Sequence, residues 1–465
     1  MMTSKTPSSL PRSSKRKAPP GRSTFHRVAS GPLRLLTTIG AADLTERLGL
    51  VEPGRRFIYE SAKAVTKAAK GAAGMLSSKM GEPARLSARA EPVLFDLTPT
   101  EEQELLVDTV RQFAEGVIRP AAAEADRAAL PPSEILERAH ELALPALAIP
   151  ESLGGAADAQ SVVTNALVIE ELARGDMGLA LAILAPLAVV HALVDLGTHE
   201  QQTHYLPRFL GEKPYAAAFA LLEPRPLFDP AAPRSGAVRT RDGGWELHGE
   251  KSLVPLGASA ELFLIAADVR GSGPKLFLVE KGTPGLVVEP QPAMGLRAAG
   301  LSRIRLDGVR VPKEALLGDG TENAATNGRA VFERIVDRSR IGWGAMAAGT
   351  ARAVLDYVIP YCNDRRAFGE PVSNRQSVAF MIADIGIELE GMRLLVLRAA
   401  SLAERSREFA REATLARVQC ATKGMKIGSD GVGLLGGHGF IKDHPVERWY
   451  RDLRAIGVME GALIA

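Results

Sequence analysis

Leu262-Phe-Leu-Ile-Ala-Ala-Asp-Val269 and Lys275-Leu-Phe-Leu-Val-Glu-Lys281 are short apolar runs separated by Gly and Pro, and they read as β-strands. Val238-Arg-Thr-Arg-Asp-Gly-Gly-Trp-Glu-Leu247 reads as two more, folded about an Asp-Gly-Gly turn, and GLVVEP (285–290) and IRLDGVRVP (304–312) continue the series. Outward from this block the period changes to that of helices. Upstream, Thr98-Pro99-Thr100-Glu101 predicts a capping box with Pro at the first helical position. The helix it opens carries Leu106, Val110, Phe113 and Val117 at 4-3-4 spacing and is predicted to stop at Pro120, with further helices to about Leu210. Downstream, helices return after about Thr326; the clearest carries Val378, Ile382, Ile385, Leu389, Met392 and Val396 on one stripe, suited to a bundle. The layout is α+β: helices, a β-domain, then helices.

The 465 residues carry 57 Lys/Arg against 54 Asp/Glu, but the charge is unevenly spread. Residues 1–90 hold 17 basic and 5 acidic side chains, a balance of +12 that leaves −9 for the rest. The body therefore has no nucleic-acid footprint. Two cysteines, Cys362 and Cys420, make neither a disulfide framework nor a multi-cysteine metal site, and the histidines show no paired-ligand spacing, so no metal is expected. The 14 apolar residues Met177–Val190 are too few to span a bilayer and include a proline, which favours a buried core helix. Residues 1–32, rich in Ser, Pro, Lys and Arg, read as a solvated basic tail; an organellar transit peptide fits the same composition. Residues 55–76 read as a helix with Lys63, Lys67 and Lys70 on one side, able to touch an acidic membrane surface weakly or to dock on the body. No secretory signal is visible, and a cytoplasmic location is expected, or the mitochondrial matrix if the basic N-terminus is a transit peptide.

Gly431-Val-Gly433-Leu-Leu-Gly436 matches the dinucleotide fingerprint GxGxxG. That motif needs a strand before it and a helix opening after it; here a helical stretch (about 411–430) runs into a Gly-rich loop, so a helix end and turn is the better reading. Such a loop still allows backbone N–H groups close to a pyrophosphate.

Several segments, in order, carry a family resemblance. Ile149-Pro-Glu-Ser-Leu-Gly-Gly155, Glu170-Glu-Leu-Ala-Arg174 and Tyr205-Leu-Pro207 are followed by Glu223-Pro224, His248-Gly-Glu-Lys251, and Met294-Gly-Leu-Arg297 through Val309-Arg-Val-Pro312. Arg365-Arg-Ala-Phe-Gly369 with Gln376 comes next, and then Gly436-Gly-His-Gly-Phe440 with Asp443, Arg448 and Asp452. Over about 96–465 the chain resembles the acyl-CoA dehydrogenases. Charge and composition set residues 1–95 apart as a basic extension, and the resemblance implies an N-terminal helical domain (96–217), a β-barrel-like domain (218–325) and a C-terminal helical bundle (326–465). It implies FAD as cofactor, an acyl-CoA or related acyl thioester as substrate, and an electron-transferring flavoprotein as acceptor. It also implies a homodimer or homotetramer, with a heteromer the other option.

Residue by residue, Arg365, Phe368 and Gln376 match positions that hold FAD across a subunit boundary, and Gly436 and Gly437 match the partner chain's backbone contact to its pyrophosphate. Arg340, in DRSRIGWG, matches an arginine near the acyl-CoA site, although at a helix start it would serve equally as structure. Phe368 is equally core-like, and Arg365 equally a solvated charge. Glu460, in Val458-Met-Glu-Gly-Ala462, matches the catalytic base. An acyl thioester has a weakly acidic α-C–H, and a carboxylate desolvated by an apolar site and acyl chain is a stronger base than in water.

Departures cluster at the flavin ring. Leu222 stands where the family has a Thr, Leu227-Phe228-Asp229 where it has Gly-Ser-Asp, and Leu253 and Pro255 where it has the Trp and Thr that pack on and hydrogen-bond the ring. Gly433 replaces a Gln, Ala462 replaces a Thr, and the family continues into another helix beyond the position of Ala465. The leading expectation is an FAD enzyme that converts acyl-CoA to 2-enoyl-CoA. The rivals are a catalytically weak structural or partner subunit, and a flavoprotein acting on a non-CoA substrate.

Overall fold

In the computed structural model, which describes residues 98–157, 160–318, 329–367 and 369–465, the strand block forms one curled sheet between two sets of helices. The basic extension, the helix expected at 55–76 and Phe368 lie outside the described residues. The N-terminal helices are α1 (Glu101–Phe113), α2 (Arg119–Ala128), α3 (Ser133–His140), α4 (Leu144–Ala148), α5 (Val162–Gly175), α6 (Met177–Leu196) and α7 (His199–Phe209). The strands are β1 (Ala217–Ala220), β2 (Gly236–Arg239), β3 (Trp245–Val254), β4 (Leu262–Val269), β5 (Gly273–Glu280), β6 (Leu286–Pro290) and β7 (Ser302–Val311). The C-terminal helices are α8 (Arg329–Asp364), α9 (Gln376–Glu404), α10 (Ala410–Leu434) and α11 (Val446–Leu453).

The sheet runs β1-β4-β2-β3-β7-β6, with β5 on the other edge of β4. β1 and β2 pair in parallel with successive stretches of β4, and the remaining pairs are antiparallel. β4 reads as a continuous apolar run because both of its faces are covered. Leu262, Leu264 and Ala266 face the large helical core, and Phe263, Ile265 and Ala267 face a second core inside the curl with Trp245, Phe277 and Ile304.

Two local expectations shift. Thr100, not Thr98, is the N-cap of α1, and its reciprocal partner is Gln103, so the box lies two residues further on. Nor does the helix stop at Pro120. A π-turn at Ala114–Ile118 carries it on into α2, where Pro120 sits in the first turn and its missing N–H breaks no bond. The apolar run at 177–190 is the core helix expected. α6 is the one helix among the described residues long and apolar enough to cross a membrane, yet 83% of that window is buried. Asp176 caps it, accepting from Leu179 N at 3.0 Å, and His191 lies buried within it, pushed down to about 3 by burial and so neutral. α8 crosses α5 at Gly349, where a Cβ would come within 1.9 Å of Glu170 O, so no larger residue permits that approach.

Candidate active site

The motifs that carry the family resemblance converge as structure before they do so as chemistry. Glu223, just past β1, and Lys251, on β3, form a buried ion pair with Nζ 3.0 Å from Oε1; Nζ also donates to Leu221 O at 3.2 Å. Burial pushes Lys251 down to about 8. Burial also opposes ionisation of Glu223, but Lys251 and the backbone N–H groups of Ser235 and Arg234 prevail and hold its carboxyl below the usual range.

The C-terminal signature is likewise a clamp. Arg448 Nε donates to Asp176 Oδ2 at 2.9 Å, and Leu296 N donates to Asp452 Oδ1 at 2.6 Å. Arg451 grips Asp126 with two 2.9 Å bonds. α11 is thereby tied to α2, to α6 and to the Leu296 turn, and the segment that ends in Glu460 leaves from its C-terminus.

Glu460 follows the short 3-10 turn Arg454–Gly457, and its side chain is 13% exposed between α8 and α10. The apolar surroundings expected for this carboxylate are not what the fold supplies. Arg417 Nη2 lies 3.1 Å from Oε1, Arg340 Nε lies 3.7 Å from Oε2, and Oε2 has no hydrogen-bond partner. The reason is topological: the loop passes over two helices that each turn an arginine inward. Arg340 lies well inside α8 rather than at a helix start, and its Nη1 is 3.0 Å from Asp337 Oδ1. Beyond Glu460 the chain folds back on α8. Gly461 O accepts from Ser339 Oγ at 3.0 Å and from Trp343 Nε1 at 2.8 Å, and Leu463 fills the space over Gly342.

Arg417 is the residue that sequence reasoning missed. A signal was available: it shares the inward stripe of α10 with Ala413, Ala416, Cys420 and Gly424, and a charge at such a position needs a buried partner.

The positions assigned to a dinucleotide lie apart from Glu460. Arg365 and Gln376 are exposed at the end of α8 and the start of α9. Gly436 and Gly437 are exposed just past α10, and a Cβ built on either meets nothing within 4 Å. Tyr361, one turn before Arg365, bonds His438 Nδ1 at 2.9 Å, which brings the glycine loop to the same end of α8. The fingerprint-like run is helix as far as Leu434, as expected for a helix end and turn.

The ring-side positions are hydrocarbon. Leu222 and Pro255 are buried and Leu253 half-buried. Nearby N–H groups are largely spent: Ser252 N donates to Leu222 O, Leu253 N to Gln291 Oε1, and Leu256 N to Ala299 O, at 2.9, 2.8 and 2.9 Å. The glycine loop thus has open space beside its backbone, which leaves room for a pyrophosphate, and the positions at Leu222, Leu253 and Pro255 present hydrocarbon to any ring placed there.

Three family models cover this body: the acyl-CoA dehydrogenase N-terminal domain at residues 100–213, the middle domain at 218–309 and the C-terminal domain at 326–463. An acyl-CoA dehydrogenase of Bacillus subtilis is 31% identical over 371 residues, which cover 78% of this chain and 95% of that protein. The butyryl-CoA dehydrogenase of Megasphaera elsdenii superposes with a TM-score of 0.72 at 26% identity, covering 79% of this chain and 96% of the other. A glutaryl-CoA dehydrogenase of Mycobacterium smegmatis solved with FADH2 gives 0.70 at 25% identity, over 78% and 92%. The fold and the matching family models define a flavin-dependent oxidoreductase. The chain belongs to the acyl-CoA dehydrogenase family, whose cofactor is FAD.

Proposed function

We propose that the chain oxidises an acyl-CoA thioester to the 2-enoyl thioester, with Glu460 as the base. The observation that carries this reading is the Glu460 carboxylate: largely buried, anchored by Arg417 through Oε1, and with Oε2 near Arg340 at 3.7 Å but accepting no hydrogen bond. A group in that state can take the α-proton while the anchored oxygen fixes its direction. FAD, when bound, supplies the acceptor for the β-hydrogen, which leaves as hydride, so one proton and one hydride depart and a C=C bond forms. Gly436 and Gly437 would present backbone N–H groups to its pyrophosphate, and Arg365 and Gln376 the remaining polar contacts, from different copies of the chain. An electron-transferring flavoprotein is the proposed electron acceptor.

Phe380, Ile387 and Leu394 support the assembly. They recur every seven residues on α9 and are 60%, 70% and 48% exposed, a seam suited to a second copy of the chain. Light scattering of Ile387→Glu should show a smaller particle than the wild type; an unchanged mass would place the contact elsewhere.

Glu460→Gln keeps the shape and removes the base, so flavin reduction by acyl-CoA should collapse while acyl-CoA binding survives. An unchanged reduction rate would remove Glu460 from the chemistry. One observation favours a second reading, a weak or inactive relative: the spent N–H groups around Leu222, Leu253 and Pro255 leave few donors for a reduced ring. Wild type that binds FAD but is not bleached by any acyl-CoA would decide for it.

A further inference from the structure

The glycine loop after α10 is fastened to α8 and α11 by a cluster of tyrosine, histidine and tryptophan rings. Tyr357 and Tyr361 stand about one turn apart on the same face of α8. Tyr361 Oη lies 2.9 Å from His438 Nδ1, and Tyr357 Oη lies 2.6 Å from His444 Nδ1. The two imidazole planes differ by 15°, with centroids 5.5 Å apart. Tyr361 meets His444 edge-on at 5.5 Å, and Tyr357 meets the buried Trp449 of α11 edge-on at 5.8 Å.

These contacts hold the loop just after its two exposed glycines and again at its far end, because His438 follows Gly437 and His444 comes shortly before α11. Two attachments fix position and orientation together, where a single one would leave a pivot. The backbone supports the same shape. Gly436 takes a φ of +57°, and Gly439 backs so closely on α10 that a Cβ there would come within 2.2 Å of Val432 O. Among the described residues, the two tyrosine bonds are the side-chain hydrogen bonds of residues 436–444, and the turn bond from Ile441 N to His438 O is long at 3.4 Å. Gly436 and Gly437 meanwhile stay exposed with open space beside them. The loop is held from behind and left clear on the side a ligand would approach.

We propose that Tyr357 and Tyr361 are positioning residues for the cofactor: through His444 and His438 they hold the loop folded, with Gly436 and Gly437 presented, before a pyrophosphate arrives. This rests on the glycine loop being the pyrophosphate cradle. A loop ordered in advance loses little freedom on binding, whereas a loop ordered only by its ligand weakens the affinity by that loss. Neither tyrosine needs to touch the ligand.

The test removes the hydroxyls and keeps the rings. Full-length wild type, Tyr357→Phe, Tyr361→Phe and the double variant are compared in three measurements: FAD affinity by equilibrium dialysis, melting temperature, and the rate of trypsin cleavage after the exposed Lys442 in the loop. Tyr450→Phe, which deletes a hydroxyl on α11 bonded to Arg454 and to neither histidine, is the control. In the double variant the dissociation constant for FAD should rise by about tenfold or more, the combined effect of two lost hydrogen bonds. Cleavage after Lys442 should quicken, and the melting temperature should fall by no more than a few degrees. The control should match the wild type in FAD affinity and cleavage. The single variants, expected to fall between wild type and double, serve if the double variant does not fold. FAD affinity equal to that of the wild type in the variants would overturn the proposal, whether or not cleavage quickens, since a merely structural clamp moves melting or cleavage alone. Faster cleavage in the variants with no FAD bound by any protein, wild type included, supports the clamp on the loop and counts instead against the loop as the pyrophosphate cradle.

Discussion

Lys251 Nζ and Glu223 Oε1 lie 3.0 Å apart with both side chains shut away from water, so the join between β1 and β3 is an ion pair where an apolar contact would have been the simpler choice. Removing one partner strands the other. Lys251→Met should destabilise the protein by about 3 kcal/mol, because Glu223 stays buried without its nearest cation and keeps only Arg225 at 3.5 Å and two backbone N–H groups. The double variant Lys251→Met with Glu223→Gln should recover most of that loss. Denaturant unfolding of the two variants and the wild type checks it, and a double variant as unstable as the single would mean the pair acts through packing alone.

A second prediction concerns pH. Burial pushes Asp452 up to about 8, with the neighbouring Asp176 charge acting in the same direction and the Leu296 N–H and the arginines opposing it. A carboxyl raised in the folded state binds a proton that the unfolded chain has already lost. Stability should therefore be greatest near the unfolded carboxylate range and fall as pH rises from about 4 towards 8. Asp452→Asn keeps an acceptor for Leu296 N–H and removes the titration. Its melting temperature should vary less with pH over that window than the wild type's; parallel curves would show that another group carries the slope.

Gly437 separates cofactor binding from folding. A Cβ there meets nothing within 4 Å in the chain, so Gly437→Val should melt as the wild type does. The same branched side chain would stand where a pyrophosphate must approach the backbone. FAD retained per chain after desalting should drop by tenfold or more, an estimate that follows from about 1.4 kcal/mol or more of lost contact. Full flavin content in this variant would move the cradle off the glycine loop.

Much of the architecture was legible in the residues. The strand runs at 262–269 and 238–247, the apolar stripe of α9 and the core helix read at 177–190 all lie where period and punctuation place them, that helix running on to Leu196. The misreadings have local causes. Thr98-Pro99 imitates a cap that Thr100 and Gln103 form instead, and Pro120 looks like a stop because a π-turn that absorbs its missing N–H leaves no mark in composition.

The sequence by itself determined the order helix–sheet–helix, the glycine loop after α10 and the carboxylate at position 460, because each is written in neighbouring residues: a period, a turn signal, a motif. Only the tertiary structure decided what surrounds that carboxylate. Arg417 stands 43 positions before Glu460 and Arg340 stands 120 before it, and no local pattern links them. They meet because helix packing turns both arginines into the gap that the loop crosses. Interaction energies between charges depend on distance in space and on the exclusion of water, and a linear chain specifies neither until it has folded.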